Sequence, residues 1–274
     1  MWSRNRAVAV SASAAAALLL TLASARPARA QVVLYDGALN TDPSAQGWSY
    51  QAFPGPGGET ASVSVGGGAT TLNTTGANGI QAGYSRIAPF VLDRTTGFTL
   101  DFDVKLLSEA HATNDRAGFS LIALSNDKKG IELGFWTDQV WAQNDTPLFT
   151  HGESAAFDTT AAGSGAAGTT RYRLSVLGDN YSLFQIGAGG AATPLLENKP
   201  LRDYSAFVGP IDPYETPNFL FVGDDTTSAR GSVQIARFEA SPFAVVPEPG
   251  TLGLLGMAGS TGLLSRLRQR RRRA

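Results

Sequence analysis

The chain has 274 residues, of which 43% are hydrophobic and 16% charged, a composition that suits one or two globular domains with a real core. It has no cysteine, which excludes disulfides, a thiol nucleophile and a cysteine zinc site, and two histidines are too few for a multi-histidine metal site. Residues 1–30 and 251–274 hold ten of the 22 basic residues and no acid. The middle of the chain therefore has 12 basic against 23 acidic residues, and such an acidic body argues against nucleic-acid binding.

The first 30 residues have the three parts of a secretory signal. Arg4 and Arg6 form the charged start, residues 7–25 form an uncharged stretch of small apolar residues, and Ala28-Arg29-Ala30 is an A-x-A cleavage site. The alternative is an N-terminal membrane anchor, but this stretch is only weakly hydrophobic. The sequence therefore predicts a signal helix over 1–30 that signal peptidase removes from an exported protein, leaving Gln31 as the first residue.

Residues 31–245 show the two-residue alternation of β-strands and no helical periodicity of useful length. From Phe98 to Leu106 apolar residues alternate with polar ones, as in a strand that is buried on one face. Residues 117–125 form a continuous apolar run, typical of a central strand. A change of phase between Ile235 and Ala236 predicts a bulge in the last strand. About a dozen such strands with turns rich in Gly and Pro predict an all-β domain, a single β-sandwich.

Residues 131–136 and 139–143 predict a hairpin with a two-residue turn at Thr137-Asp138. In this register Gly134 is opposite Trp141, and one face of the hairpin carries Glu132, Trp136, Gln139, Trp141 and Gln143. Indole rings pack on the C–H faces of sugars and amides bind their hydroxyls, so these five residues are the candidate ligand-binding face. The open alternative is that residues 144–170, expected as a loop, cover both tryptophans.

Five segments of the body resemble parts of a concanavalin A-like jelly roll: Leu34 to Ala38, Gln46 to Trp48, Gly97 to Val104, Ile131 to Trp136 and Gly223 to Thr226. This family is common in surface proteins with interchangeable anchors. The resemblance implies a lectin-like or laminin-G-like sandwich and does not imply one ligand. Related sandwiches often hold calcium, which makes Asp224 and Asp225 candidate metal ligands. Aspartate is also a default turn residue, however, so no cofactor is expected and calcium is the alternative.

Catalytic patterns are weak in this sequence. Asp101 and Asp103 lie on one strand face about 7 Å apart, within the range of some glycosidase carboxyl pairs. Jelly-roll glycosidases carry Glu-x-Asp-x-Glu, whereas this strand has only Asp-Phe-Asp, so we expect a solvated strand face. His111 and His151 lie in polar segments without a motif and are expected at the surface. The sequence thus predicts a non-enzymatic protein, with a secreted glycan hydrolase or lyase as the alternative.

The C-terminal residues 246–274 have three parts in a fixed order. Pro247-Glu248-Pro249 precedes an uncharged stretch of 14 residues from Thr251 to Leu264, and six arginines follow: Arg266, Arg268, Arg270, Arg271, Arg272 and Arg273. This order closely resembles the PEP-CTERM sorting tail, which implies processing near the Pro-Glu-Pro motif by an exosortase-type transpeptidase. The apolar stretch is shorter than the about 20 residues of a spanning helix, and arginines stay on the cytoplasmic side. We expect a short apolar helix that enters the inner membrane transiently.

These patterns predict an exported protein of the cell surface or extracellular matrix that is sorted by an exosortase-type system. Its sandwich is expected to bind glycan, with an extracellular polysaccharide as the partner. A purely structural component of the matrix is a further alternative, and a test of ligand binding separates it from a glycan-binding protein.

Removal of both ends is the first testable prediction. We expect the mature protein to run from Gln31 to about residue 247, because the A-x-A site and the Pro-Glu-Pro motif flank that segment. The intact mass of protein recovered from its native envelope measures this. Retention of the six arginines in most molecules would contradict the prediction.

Overall fold

The computed structural model describes residues 31–209 and 212–242. These residues form an all-β sandwich of two antiparallel sheets, and their helical turns are 3-10 segments of three or four residues. The predicted signal helix with Ala28 and Ala30, and the predicted sorting tail with the Pro-Glu-Pro motif and the arginines, lie outside the described residues. No helix in the described part is long and apolar enough to cross a membrane.

Fifteen strands build the described sandwich, more than the dozen expected. They are β1 (Val32–Asp36), β2 (Ser49–Phe53), β3 (Ser62–Gly66), β4 (Ala69–Asn73), β5 (Gln81–Ile87), β6 (Phe98–His111), β7 (Ser120–Leu124), β8 (Gly130–Phe135), β9 (Gln139–Asp145), β10 (Leu148–Ala156), β11 (Thr170–Leu177), β12 (Asn180–Ile186), β13 (Ala192–Pro200), β14 (Phe219–Asp224) and β15 (Ala229–Ser241).

The strands are divided between a sheet of eight and a sheet of seven. The larger sheet has the order β13, β12, β11, β6, β15, β4, β3, with β1 also paired to β15. The smaller sheet has the order β10, β9, β8, β7, β14, β5, β2. Strands close in sequence thus often lie in different sheets, and the chain crosses between the layers several times.

The main core lies between the two sheets, and Phe102 of β6 is one of its central residues. Its ring stacks on Tyr172 with centroids 5.3 Å apart and on Phe238 at 5.7 Å, and it meets Phe135 of the other sheet edge-on at 6.2 Å. Burial of each such ring contributes about 2 kcal/mol to stability. The predicted bulge in β15 is confirmed, because the register against β6 shifts between Ile235 and Arg237 and Phe238 still reaches the core.

The polar face of β6 is not solvated, which corrects the expectation for Asp101 and Asp103. The two side chains are only 3% and 1% exposed. Arg173 donates to both oxygens of Asp101 at 2.7 and 2.6 Å, and Arg171 donates to both oxygens of Asp103 at 2.7 and 2.9 Å. The backbone N–H of Ala166 also donates to Asp103 at 2.7 Å. Two guanidinium groups of β11 and one backbone N–H of the preceding loop therefore replace water as hydrogen-bond donors to these carboxylates.

The segment 144–170 is not one long loop, because its middle forms β10, the edge strand of the smaller sheet. His151 lies in this strand, and His111 is the last residue of β6. Both histidines are half-buried and stack on tryptophan rings. The expectation of two surface histidines is therefore wrong. Their positions follow from strand pairing, which local polarity did not reveal.

Loss of the charge on Asp103 should destabilise the domain. Asp103→Asn keeps the shape of the side chain but leaves Arg171 half-buried without its counterion, at a cost of about 2 kcal/mol in unfolding free energy. Urea unfolding followed by far-UV circular dichroism measures this. Glu215→Gln, which removes a partner from the exposed pair with Lys128, is the control and should change stability by less than about 0.5 kcal/mol. Equal effects of the two substitutions would contradict the prediction.

Candidate functional site

The hairpin of β8 and β9 has the predicted register. Gly134 is opposite Trp141, and the N–H of Trp136 donates to the carbonyl of Gln139 at 2.9 Å. An added Cβ on Gly134 would lie 2.6 Å from the indole of Trp141, so this ring lies flat on the glycine. The absence of a side chain at Gly134 is therefore what lets the indole pack against the sheet.

The Tyr204 hydroxyl is inserted between β8 and β9 where Glu132 lies opposite Gln143. It accepts from the N–H of Glu132 at 3.1 Å and donates to the carbonyl of Gln143 at 2.9 Å. The hydroxyl thus replaces the backbone hydrogen bond that would join these two residues in a regular antiparallel ladder. Burial raises the pKa of Tyr204 far above its usual value, so it stays a neutral donor.

The two tryptophans of the candidate face are covered by the two histidines. His151 of β10 stacks on Trp141 with centroids 4.4 Å apart, and Trp141 is fully buried. His111 stacks on Trp136 at 3.9 Å, and Trp136 stays half-buried. For Trp141 the structure thus fits the alternative in which residues 144–170 cover the ring. The binding role of Trp136, Trp141 and the half-buried Gln139 stays a prediction.

A second hydrophobic cluster lies on the outer face of the seven-stranded sheet. Ile122 and Leu124 of β7 point away from the main core, where Tyr204 and Tyr214 cover them, and partly buried phenylalanines complete the cluster. Continuous burial along β7 confirms the prediction of a central strand. The tyrosines that cover it were missed, because they lie in irregular segments more than 70 residues away and carry no periodic pattern.

Beside this cluster runs a groove of about 650 Å³. Its lining comes from β2, β5, β14, β7, β8 and β9, which are six neighbouring strands of the sheet, and from the segments around Phe149, Phe207 and Tyr214. The amides that line it are Gln51, Gln81 and Gln143; the aromatic rings are Phe53, Phe149, Phe207, Tyr214, Phe219 and Phe221. Glu132 and Gln143, two of the five predicted ligand-binding residues, thus belong to one groove.

The groove has four carboxyl groups and one guanidinium, those of Asp212, Asp224, Asp225, Glu132 and Arg116. Glu132 is 2% exposed and accepts a hydrogen bond from the Tyr214 hydroxyl. Burial raises the pKa of Glu132 to about 8, and the charge of Asp225 adds to this shift, whereas the Tyr214 hydroxyl and Arg116 oppose it. The low-dielectric surroundings of Glu132 therefore favour its protonated form.

Asp224 and Asp225, the candidate metal ligands, are not arranged as a metal site. Asp224 Oδ2 accepts from the Thr74 hydroxyl at 2.6 Å, and Oδ1 accepts from the N–H of Thr226 at 3.1 Å. Burial raises the pKa of Asp224 to about 7 and that of Asp225 to about 6. The residues described hold no cluster of three or more His, Cys, Asp or Glu placed around a metal position. Both carboxylate oxygens of Asp224 already accept hydrogen bonds from threonines, whereas calcium binding at Asp225 stays a prediction.

Two polar atoms at the groove are buried without a hydrogen-bond partner, namely Gln143 Oε1 and Asp225 Oδ1. Gln143 is 2% exposed and donates from Nε2 to the carbonyl of Asp115 at 3.2 Å, which leaves its oxygen free. Buried polar groups usually have partners, so unpaired atoms at a groove mark capacity for a ligand or for water. The sequence predicted Gln143 for the ligand-binding face but did not reveal the groove.

No protein-family model matches the chain, and no curated protein matches its sequence. Similar folds occur among solved structures. A carbohydrate esterase from the Shiga toxin-encoding bacteriophage phi24B is 16% identical, with a TM-score of 0.48, over 78% of this chain and 100% of the other. The carbohydrate recognition domain of Emp46p, in its metal-free form, is 12% identical, with a TM-score of 0.41, over 78% and 97% of the two chains.

The exoplasmic/lumenal domain of VIP36, in a form bound to Ca²⁺ and Man2, is 9% identical, with a TM-score of 0.43, over 80% of this chain and 90% of the other. At these identities and TM-scores the similarities carry no argument about ligand or activity. The structure itself confirms the all-β sandwich of two antiparallel sheets, and the assignment to a concanavalin A-like jelly roll stays a prediction.

The buried carboxyls of the groove predict a stability that falls as pH rises. Glu132, Asp224 and Asp225 keep protons when folded that they release on unfolding, where carboxyls have pKa values of about 4. Between about pH 4 and about pH 8 the folded state therefore binds more protons, and the free energy of unfolding decreases across this window. Urea unfolding at a series of pH values measures the slope.

Glu132→Gln should flatten this slope, because the amide cannot titrate. Glu197→Gln, a substitution at an exposed position of β13, is the matched control and should leave the slope as it is. A slope that persists unchanged in Glu132→Gln would contradict the assignment.

Proposed function

We propose that this chain is an exported, non-enzymatic protein that binds a carbohydrate chain in the groove of its seven-stranded sheet. The observation that carries the proposal is the lining of the groove, in which three glutamines and six aromatic residues lie along one surface. Aromatic rings pack against the apolar faces of sugars, and amides donate to and accept from their hydroxyls. Six strands at roughly 4.8 Å spacing extend over about 24 Å, a width that suits several linked sugars.

The proposal assigns export and sorting to the two ends of the chain. Residues 1–30 direct secretion and are removed by signal peptidase, and residues 246–274 hold the protein transiently in the inner membrane until an exosortase-type transpeptidase acts. The order of the Pro-Glu-Pro motif, apolar stretch and arginine cluster supports this sorting route. The protein then resides at the cell surface or in the extracellular matrix, where a polysaccharide is its partner.

A glycan hydrolase is the second candidate, and one observation favours it. Glu132, with a pKa of about 8, and Asp225, with a pKa of about 6, line the same groove, as an acid and a base of a glycosidase would. The pair singled out in the sequence, Asp101 and Asp103, lies on the other sheet beneath arginines. Release of reducing ends from a bound polysaccharide would replace the binding proposal with this one.

Substitution of Phe53 tests the groove as the binding surface. Phe53 lines the groove on the edge strand β2 and is 43% exposed, so Phe53→Ala removes a ring without opening the core. Loss of one ring contact should cost about 1 kcal/mol, which is about a fivefold weaker affinity. Titration of the full chain with a polysaccharide selected on a glycan array measures this. The titration includes a chelator, because the proposed binding requires no metal.

Leu177→Ala is the control, because Leu177 is 49% exposed at the end of β11 and does not line the groove. It should change neither the affinity nor the unfolding midpoint. If no glycan on the array binds the full chain, the proposal fails and a structural role in the matrix replaces it. Equal affinities of Phe53→Ala and Leu177→Ala would place binding away from the groove.

A further inference from the structure

The charge of the groove is unbalanced. Four carboxyl groups line it against a single guanidinium, that of Arg116. The Nη1 atom of Arg116 donates to the backbone carbonyls of Asp115 at 2.6 Å and Phe149 at 2.5 Å. The hydrogen bonds of this one cation therefore go to neutral acceptors and not to the carboxyl groups, although its charge lowers the pKa of both Glu132 and Asp225.

Three of the four carboxyl groups accept hydrogen bonds from within the protein. Asp212 accepts from the N–H of Tyr214 at 3.0 Å, and both oxygens of Asp224 accept from threonines. Glu132 accepts from the Tyr214 hydroxyl. Asp225 Oδ1 is buried with no partner, and so is the neighbouring Gln143 Oε1. The unpaired atoms at this point of the groove are thus both acceptors, which call for a donor from a ligand.

Aromatic rings flank the same carboxyls. Tyr214 donates to Glu132 and contacts Phe149, with ring centroids 5.4 Å apart, and Phe207, at 5.7 Å. The guanidinium carbon of Arg116 lies 5.6 Å from the centroid of the Phe149 ring. A cation thus already rests on this aromatic wall, in the arrangement in which ring faces attract positive charge. A carboxyl pair beside such a wall is the chemistry that recognises an ammonium group.

The raised pKa values of Glu132 and Asp225 fit the binding of a further cation beside Arg116. Burial raises the pKa of both Glu132 and Asp225, and the charge of Asp225 raises the pKa of Glu132 further. An ammonium group between them would favour the ionised form of both, since an opposite charge within a few Å stabilises a carboxylate. An anionic chain, such as a uronate polymer, would instead add repulsion at this point.

We infer that the groove binds an amino-sugar polysaccharide whose amines are free of acetyl groups, and that Glu132 and Asp225 bind its ammonium group. This inference rests on the proposed function and names the ligand class for the same groove. The three glutamines and the width of six strands favour a sugar chain over an isolated amine, because they supply hydroxyl-binding groups along the groove.

The test compares two oligosaccharides that differ only in the acetyl group. The full chain is titrated calorimetrically, at mildly acidic pH where the amine is protonated, with a glucosamine oligomer and with an N-acetylglucosamine oligomer of equal length. We expect the glucosamine oligomer to bind about tenfold more tightly, because a charge-assisted contact is lost with the acetylated chain. Equal affinities would overturn this inference while leaving glycan binding intact.

Substitutions then assign the preference to the carboxyls. Glu132→Gln and Asp225→Asn keep the side-chain shapes and should each reduce the preference to about threefold or less. Glu197→Gln, on the exposed part of β13, should preserve it. Circular dichroism of each variant confirms that it is folded; if Glu132→Gln fails to fold, Asp225→Asn alone decides. A preference unchanged in a folded Asp225→Asn would overturn the assignment.

Two further outcomes distinguish binding of an amino sugar from binding of a cationic peptide and from the absence of any glycan binding. If polylysine binds the full chain as tightly as the glucosamine oligomer and displaces it, the groove recognises positive charge in a peptide as well, and the assigned ligand class is wrong. If neither oligomer binds and the glycan array is also empty, the proposed function itself fails.

Discussion

The Tyr204 hydroxyl links two strands of the sandwich at the point where the groove lies. Tyr204 joins the N–H of Glu132 to the carbonyl of Gln143 and so keeps β8 and β9 connected where their direct ladder ends. Because the hydroxyl both accepts and donates, neither backbone group is left unpaired in a buried position. The ring of Tyr204 in turn packs on Tyr214, with centroids 4.9 Å apart, and so fixes the wall of the groove.

The chemistry of the groove follows from the need to cover β7. The outward side chains of this strand, Ile122 and Leu124, are as apolar as its inward ones, so a second layer must bury them. Aromatic side chains from irregular segments supply that layer, and the same rings withdraw Glu132 from water. The packing around β7 thus produces a carboxyl group with a raised pKa, without any dedicated catalytic motif in the sequence.

Much of the sandwich follows from local patterns, and much of the groove does not. The two-residue turn fixed the register of Gly134 and Trp141, and the change of phase revealed the bulge in β15. The stacking of His151 on Trp141 was missed because it depends on the pairing of β10, whose polar sequence resembles a loop. Tyr204 and Tyr214 were missed because their role depends on contacts between residues more than 60 positions apart, which a periodic sequence pattern cannot predict.

The burial of the aspartates on β6 could be inferred from the sequence only once the strand that pairs with β6 was known. Asp-Phe-Asp on β6 faces Arg-Tyr-Arg on β11, with Phe102 directly opposite Tyr172. Only the pairing of these strands, 68 to 72 residues apart at the ion pairs, turns two solvated-looking aspartates into buried ones.

This double ion pair also constrains how β11 can slide along β6. A slip by one residue would turn both arginines toward the apolar core. A slip by two residues would keep them outside but leave one aspartate buried without its cation, at a cost of several kcal/mol. The two ion pairs on the outer face of the larger sheet therefore disfavour a register shift of β11 along β6 in either direction. By fixing this register they also determine which phenylalanines and tyrosines meet on the inner face.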